Sequence, residues 1–484
     1  MAPPNSIQTH SALATATLLA LCACTGENAT QRTTRLTADA IDIPTQWRAT
    51  PATTQTTPDH LAQWWQRFND PALDQLITYA LHNNPGLRTA LSRIAEARAR
   101  YGTTRATLLP TLNTRGAATR TYHRNHTSDT AAYNNTYTAA LDATWEIDLF
   151  GKNHATLNAA AAEHAQTLEN YHAAQVSLAA EIAEAYTTLR ATETQHRIVE
   201  QTLENRRQTT GLAQFREQVG QGTSLDTAQA TTALDQTQAL LPTLQNDIAQ
   251  SRNRLALLTG KKPGDIDPLL ITRNTPHIPA PPQNLALGIP AQTLRQRPDV
   301  RAAEHALHAT AHRLDAAERE ALPSLNLNGS IGIEALKKGS FLSPEATIGT
   351  LAAGLVAPVF EGGRIRQNIN IHTEQQAQAL LAYEETLLTA LAEVENALIG
   401  IQHITTRLST LRTAHAAATT ATQLAAHQYQ AGQSDITTLL ETQRNQLSIE
   451  EQLTTTTAQQ TIAHIHLYKA LGGGWTPPSV ITPN

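Results

Sequence analysis

Cysteine is nearly absent. Only Cys22 and Cys24 occur among 484 residues, so nothing beyond residue 24 can form a disulfide or a thiolate metal site. Aromatic residues make up 4% of the chain and charged residues 16%, with a single methionine. Large side chains supply most core burial, so this chain cannot fill the three globular cores that its length would suggest. No apolar run reaches the roughly 18 residues of a membrane-spanning helix. A net charge of −5 lacks the basic face expected of a nucleic-acid binder. Catalytic signatures are missing too: there is no Gly-x-Ser-x-Gly and no His-Glu-x-x-His. Gly220-Gln221-Gly222 lacks the third glycine and preceding strand of a dinucleotide fold, and Gly260-Lys261-Lys262 lacks the upstream glycine of a phosphate loop. No enzyme is expected. Ala, Thr, Gln and Leu dominate instead, which favours long helices packed through small residues.

Ser11–Ala23 is a short apolar stretch that fits the h-region of a secretory signal. Leu21, Ala23 and Cys24 together resemble a bacterial lipoprotein signal, although Met1–His10 carries no Lys or Arg. The resemblance implies cleavage after residue 23 and acylation of Cys24, with palmitate or a similar chain, as the only covalent group; no other cofactor and no metal are expected. Thr25 offers no acidic signal for inner-membrane retention. An ordinary cleaved signal with two incidental cysteines is the alternative, and Cys22 and Cys24 alone lack the further ligands of a soft-metal site.

The chain is written twice. Asn84-Pro85-Gly86-Leu87-Arg88 is echoed by Arg297-Pro298-Asp299-Val300-Arg301, and Leu109-Pro110-Thr111-Leu112-Asn113 by Leu322-Pro323-Ser324-Leu325-Asn326, both at an offset of 213. Gly222-Thr223-Ser224 pairs with Gly432-Gln433-Ser434 at an offset of 210. In each half, a short helix precedes a helix opened by the proline, where proline suits the first turn. After Leu-Pro the periodicity changes to two. Tyr137, Ala139, Leu141, Ala143, Trp145, Ile147 and Leu149 share one face, while Asp142, Glu146 and Asp148 lie on the other. Such alternation suits a membrane-barrel strand with an apolar exterior and an acidic, watery lumen that favours cations. Strands are expected over about 111–122, 136–150, 324–333 and 346–360. Four strands cannot close a membrane barrel, and an open edge in lipid leaves backbone groups unpaired, so membrane strands here require an oligomer.

Long helical hairpins are expected over about 152–260 and 363–472. No proline occurs from Thr111 to Leu241, or from Val359 to Thr476. Leu380, Leu387, Val394, Ile401 and Leu408 recur at intervals of seven, as do Leu234, Leu241, Ile248 and Leu255. A helix from Lys152 to Glu217 would be about 100 Å long at about 1.5 Å per residue. Each hairpin turns at a glycine-containing tip, Val219–Ser224 and Ala431–Ser434, with Ser224 and Ser434 expected as N-caps. Pro242 is expected to bend a returning helix.

These features resemble the outer-membrane efflux factors of the TolC superfamily, in its lipoprotein or NodT-like branch. Its members include the outer-membrane components of RND efflux systems. The residues that carry the resemblance are Asn84-Pro85…Arg88, Leu109-Pro110-Thr111-Leu112, Trp145-Glu146-Ile147-Asp148-Leu149-Phe150-Gly151, Leu322-Pro323-Ser324-Leu325 and Pro358-Val359-Phe360-Glu361-Gly362-Gly363. The resemblance covers about Leu61 to Gly474. It implies a mainly α protomer with a small β part, and a homotrimer that closes a twelve-stranded β-barrel above an α-barrel of twelve long helices. The implied organisation is a signal at 1–23, an acylated extended segment at 24–60 and a first repeat at 61–262. A Pro-rich linker at 263–283, a second repeat at 284–474 and a tail at 475–484 follow.

The resemblance also implies an outer-membrane, lipid-anchored duct that docks a periplasmic adaptor and, through it, an inner-membrane pump, moving small toxic solutes or drugs. Val219, Gly220, Gly222, Thr223, Ser224, Gly432, Gln433 and Ser434 match the adaptor-docking tips. Asp435 is the nearest match to a periplasmic gate of aspartates, and equally fits a simple helix cap. The alternative function is a lipid-tethered periplasmic coiled-coil scaffold without transport. His305, His308 and His312 share a helical face, with a solvated face favoured over a metal site. Glu184 and Glu393 are read as equivalent, solvated positions.

Overall fold

A computed structural model of the chain describes residues 29–39, 42–49, 59–125, 130–270, 277–282, 290–335 and 347–475. The expected signal and Cys24 lie outside the described residues, as does the tail beyond Trp475. In chain order the elements are α1 Ala29–Asp39, α2 Asp59–Ala62, a 3-10 turn Trp64–Phe68, α3 Pro71–Asn83, α4 Pro85–Ala106, β1 Thr111–Asn125 and β2 Thr130–Ile147. They continue with α5 Lys152–Gln218, α6 Ser224–Gln238, α7 Leu240–Thr259, α8 Asp267–Leu270, α9 Pro290–Gln296, α10 Pro298–Arg319, β3 Ser324–Ala335, β4 Thr347–Val356, α11 Arg364–Gln430 and α12 Ile436–Ala470. Helices α3, α4, α9 and α10 all begin on proline, whose fixed φ and missing N–H suit that position. The duplication is close in length: α4 and α10 have 22 residues each, and α5 and α11 have 67 each.

Two compact units form, one from Met1–Asp42, Ile94–Thr167 and Ala302–Glu384, the other from Ile43–Arg93, Leu168–Arg301 and Glu385–Asn484. The spatial division cuts across the two sequence repeats. The reason is visible in the sheet, where β2 of the first repeat pairs with β3 of the second.

The first unit holds one antiparallel sheet in the order β1-β2-β3-β4. Asp142 lies opposite Asn113 on one side and Ser330 on the other, and Ser330 lies opposite Thr350. β1 runs three residues beyond its expected end, and β2 starts six residues earlier than expected. β2 stops at Ile147 because Asp148 turns to the start of α5, and β4 stops at Val356, two residues before Pro358. The segment expected to be extended carries α1, whose Ala29 N–H donates to Asp315 Oδ2 at 3.1 Å.

The second unit is built on an aromatic core. Trp64 stacks on Tyr468 at 5.3 Å and meets Phe68 edge-on. Asp70 caps α3 by accepting from Ala72 N–H and Leu73 N–H, and its other oxygen accepts from the Tyr186 hydroxyl at 3.0 Å. The heptad residues Leu387, Val394, Ile401 and Leu408 are buried, as is Leu255, while Leu234, Leu241 and Ile248 are half-buried. Pro242 does more than bend its helix. Lacking an N–H, it cannot donate to Gln238 O, and the helix breaks at Ala239 into α6 and α7. Trp475, assigned to the tail from sequence, is buried and stacks on His172 at 4.4 Å.

Candidate functional site

The sheet sorts its residues by face. On one side stand Leu112, Tyr137, Leu141, Trp145, Leu325, Leu327, Ile331, Leu351 and Leu355. Several are widely exposed, with Leu351 at 84% and Leu112 at 68%. A soluble protein rarely leaves so continuous an apolar face in water, whereas a barrel exterior requires it. The opposite face carries Asn113, Arg115, Thr138, Asp142, Thr144, Glu146, Asn326, Asn328, Ser330 and Glu334.

Two acids of that polar face, Asp142 and Glu146, meet cationic side chains. Asp142 accepts from Ser330 Oγ at 2.7 Å and lies 3.3 Å from Arg115 Nε. Glu146 lies 2.8 Å from Lys152 Nζ. Asp148, expected on the same strand face, is not part of β2. It sits past the end of β2 and accepts from the His154 backbone N–H at 2.8 Å and from the His154 ring. Burial pushes the Asp148 carboxyl up, and the hydrogen bonds from His154 outweigh that and hold it below the usual carboxylate range. Asp148 thus serves the N-terminus of α5, where negative charge is favoured. Alternation in the sequence shows which face a residue takes, but not that Arg115 and Lys152 would reach these acids.

At the tips the two hairpins turn alike. Val219 N–H bonds Phe215 O, Gly220 N–H bonds Glu217 O and Gln221 N–H bonds Arg216 O. Ala431, Gly432 and Gln433 repeat this pattern 212 residues later, on His427, Tyr429 and Gln428. Gly220 and Gly432 take positive φ, 77° and 74°, which a side chain would strain. The structural offset of 212 replaces the 210 read from sequence and moves both caps. Thr223, not Ser224, caps α6 through a reciprocal capping box with Asp226. Asp435, not Ser434, caps α12, accepting from Thr438 N–H at 2.9 Å and Thr438 Oγ1 at 2.8 Å. Those hydrogen bonds hold the exposed Asp435 carboxyl below its ordinary value.

Arg216 was not singled out from sequence. Its Nη2 donates to Gln430 O at 3.1 Å, and its Cζ lies 4.4 Å from the Tyr429 ring centroid, so it ties one tip to the other. Beneath it Ala213, Ala230, Tyr429, Ile436 and Leu439 form a small apolar cluster.

The remaining candidates separate. Glu393 pairs with the buried Arg297 at 2.7 Å, and Glu184 lies 3.6 Å from His466 Nε2, so these two acids have different partners. At the structural offset, Glu393 corresponds to Glu181 rather than Glu184. The His305 and His308 rings lie 6.5 Å apart, and burial pushes His312 down. Among the described residues, no three metal-ligating side chains converge.

The family model for outer membrane efflux proteins matches residues 76–261 and 289–473, one span in each repeat. The chain is 30% identical over 448 residues to the antibiotic efflux pump outer membrane protein ArpC of Pseudomonas putida, covering 90% of this chain and 91% of that one. It is 30% identical over 444 residues to the pyoverdine export outer membrane protein OpmQ of Pseudomonas aeruginosa, covering 90% and 92%. Among solved structures, the outer-membrane channel OprN aligns with a TM-score of 0.82 at 29% identity, over 90% of this chain and 99% of that one. A sheet that is apolar on one face and polar on the other, carried with paired long helices on a duplicated chain, is the architecture of these channels. The chain belongs to the outer membrane efflux protein family, as the outer-membrane channel component of an efflux pump.

Proposed function

We propose that three copies of this chain form a passive exit duct, each giving four strands to one twelve-stranded barrel. The observation that carries this reading is the sheet itself. Among the described residues β1 and β4 each have one unpaired edge, and one sheet face is apolar and exposed. Lipid offers no partner for edge N–H and C=O groups, so β4 of one copy is assigned to β1 of the next. Cys24, acylated, anchors the chain at the periplasmic side of the outer membrane, and the long helices extend into the periplasm.

The tips carrying Val219, Gly220, Gly222, Thr223, Ser224, Gly432, Gln433 and Ser434 are assigned to docking a periplasmic adaptor that links the duct to an inner-membrane pump of RND type. Val219 is half exposed there, which supports a contact role. Asp435 contributes to the closed end by holding the first turn of α12 through Thr438. The cargo class is small solutes: two relatives are named for antibiotic efflux and for pyoverdine export, and a polar lumen whose Asp142 and Glu146 are paired with cations offers little charge selection. Native mass of protein extracted from outer-membrane fractions tests the reading. Three protomers are expected, and a monomer overturns it.

A further inference from the structure

Two arginines of β1, Arg120 and Arg124, are in register with the outward, apolar face of the sheet, and the duct uses neither. Arg120 lies on β1 opposite Asn135, in register with Leu112 and Leu141 rather than with Asp142. Its Cζ sits 4.4 Å from the Tyr133 ring centroid, and Tyr122 packs against the same ring at 5.1 Å. The two tyrosines are 52% and 59% exposed. A third strand arginine, Arg115, faces inward and meets Asp142. All three strand acids, Asp142, Glu146 and Glu334, lie on that inner face, so none shares a face with Arg120.

Height along the barrel gives this position its meaning. Asn135 is ten residues from Trp145, whose outward indole marks the helix-side end of the sheet and donates to Leu108 O. Ten residues span about 33 Å along a strand, or about 25 Å of height at a tilt of ~40°, the height of the apolar band on membrane barrels. Arg120 therefore stands at the far rim of that band. An arginine on the lipid side is costly at mid-depth and tolerated at the rim, where a phosphate can meet it.

We propose that Arg120, Tyr122 and Tyr133 form a binding site for the phosphorylated headgroup of a glycolipid in the outer leaflet. Stacking on Tyr133 pre-positions the guanidinium, the tyrosine hydroxyls supply further donors, and the apolar face below accepts the acyl chains. The choice of leaflet rests on the duct reading, with the helices on the periplasmic side.

The test uses full-length protein extracted in mild detergent, exchanged and examined by native mass spectrometry with added diphosphoryl lipid A, its dephosphorylated form or inorganic phosphate. The wild type is expected to retain the diphosphoryl form, and Arg120→Gln to retain about fivefold less. Arg120→Lys keeps most of the retention, and the inward Arg115→Gln leaves it unchanged. The dephosphorylated lipid should bind the wild type no better than diphosphoryl lipid binds Arg120→Gln. Equal retention by trimeric wild type and trimeric Arg120→Gln overturns the lipid site and leaves the duct intact. Binding of inorganic phosphate in place of the lipid overturns it as well. A monomeric wild type in the same spectra overturns the duct reading and the leaflet assignment with it.

Discussion

Asn84 and Arg297, 213 positions apart, close their repeats through the same contact. The Asn84 Nδ2–H donates to Leu258 O at 2.7 Å, and the Arg297 Nη1–H donates to Ala470 O at 2.8 Å. Each ties the residue before a helix-opening proline to the last turn of the returning helix. Arg297 adds ion pairs to Asp299 at 2.6 Å and Glu393 at 2.7 Å, and Gly472 lies where a Cβ would come within 3.1 Å of the Arg297 backbone.

Arg297→Ala is expected to lower stability by about 2 kcal/mol and Asn84→Ala by about 1 kcal/mol, since hydrogen bonds to charged groups are worth more than neutral ones. Thermal unfolding of the detergent-extracted protein reads both. A loss for Arg297→Ala no larger than that for Asn84→Ala would show that the ion pairs contribute nothing.

Arg115→Ser should uncover the Asp142 carboxylate and turn the barrel toward cations. Reversal potentials in planar bilayers under a salt gradient should shift in the cation direction for Arg115→Ser, and not for Arg115→Ser combined with Asp142→Asn. No shift in the single variant refutes the compensation at this pair.

Arg216→Ala removes the bond to Gln430 O and the stack on Tyr429. Hydrogen exchange over residues 425–440 should speed up and closed-state leak should rise, with the oligomeric mass unchanged. Unaltered exchange would mean that the apolar cluster alone holds the tips together.

Asp435→Ala should raise leak by freeing the start of α12, and Asp435→Ser should restore both the cap and the closed state, because serine accepts the same backbone N–H. If Asp435→Ser leaks as much as Asp435→Ala, the charge itself closes the end and the capping account fails. The carboxyl of Asp435 is depressed, so its contribution is present above the ordinary carboxylate pKa and lost as pH falls through the lower folded value.

Asp148→Ala should destabilise by about 1 kcal/mol at neutral pH, as for other helix caps. The Asp148 carboxyl is likewise depressed, so the gap between wild type and variant should hold above pH ~5 and shrink as acid protonates it. Melting temperatures compared at pH 7 and pH 3 check the sign, and a gap that widens in acid would refute it.

Much of the architecture was legible because it rests on short-range periodicity. The alternation from Tyr137 to Ile147 located β2, and the prolines at 85 and 298 located two helix starts. The tips were located; Asp435 as a simple helix cap, one of its two readings, is what the structure shows, while the expected serine caps are not. Thr223 and Asp435 compete with the adjacent Ser224 and Ser434 for the same role, and the two-residue error in repeat offset favoured the serines. Asp148 was placed in the lumen because strand alternation carries no signal for where a strand stops when a helix N-terminus draws the next carboxylate away.

Helix lengths, strand faces and the duplication are local properties of this chain, written in the spacing of Leu, Ala, Pro and Gly, and they required no knowledge of what packs against what. Charge pairing is of another kind. Arg115 with Asp142, Lys152 with Glu146, Arg216 with Gln430 O and Arg297 with Glu393 depend on where distant segments come to lie, and each long side chain could have reached several acids or carbonyls. Burial and backbone register selected one partner from that set, and so decided that Asp142 and Glu146 are charge-paired on the polar face of the sheet and that an arginine bridges the two tips.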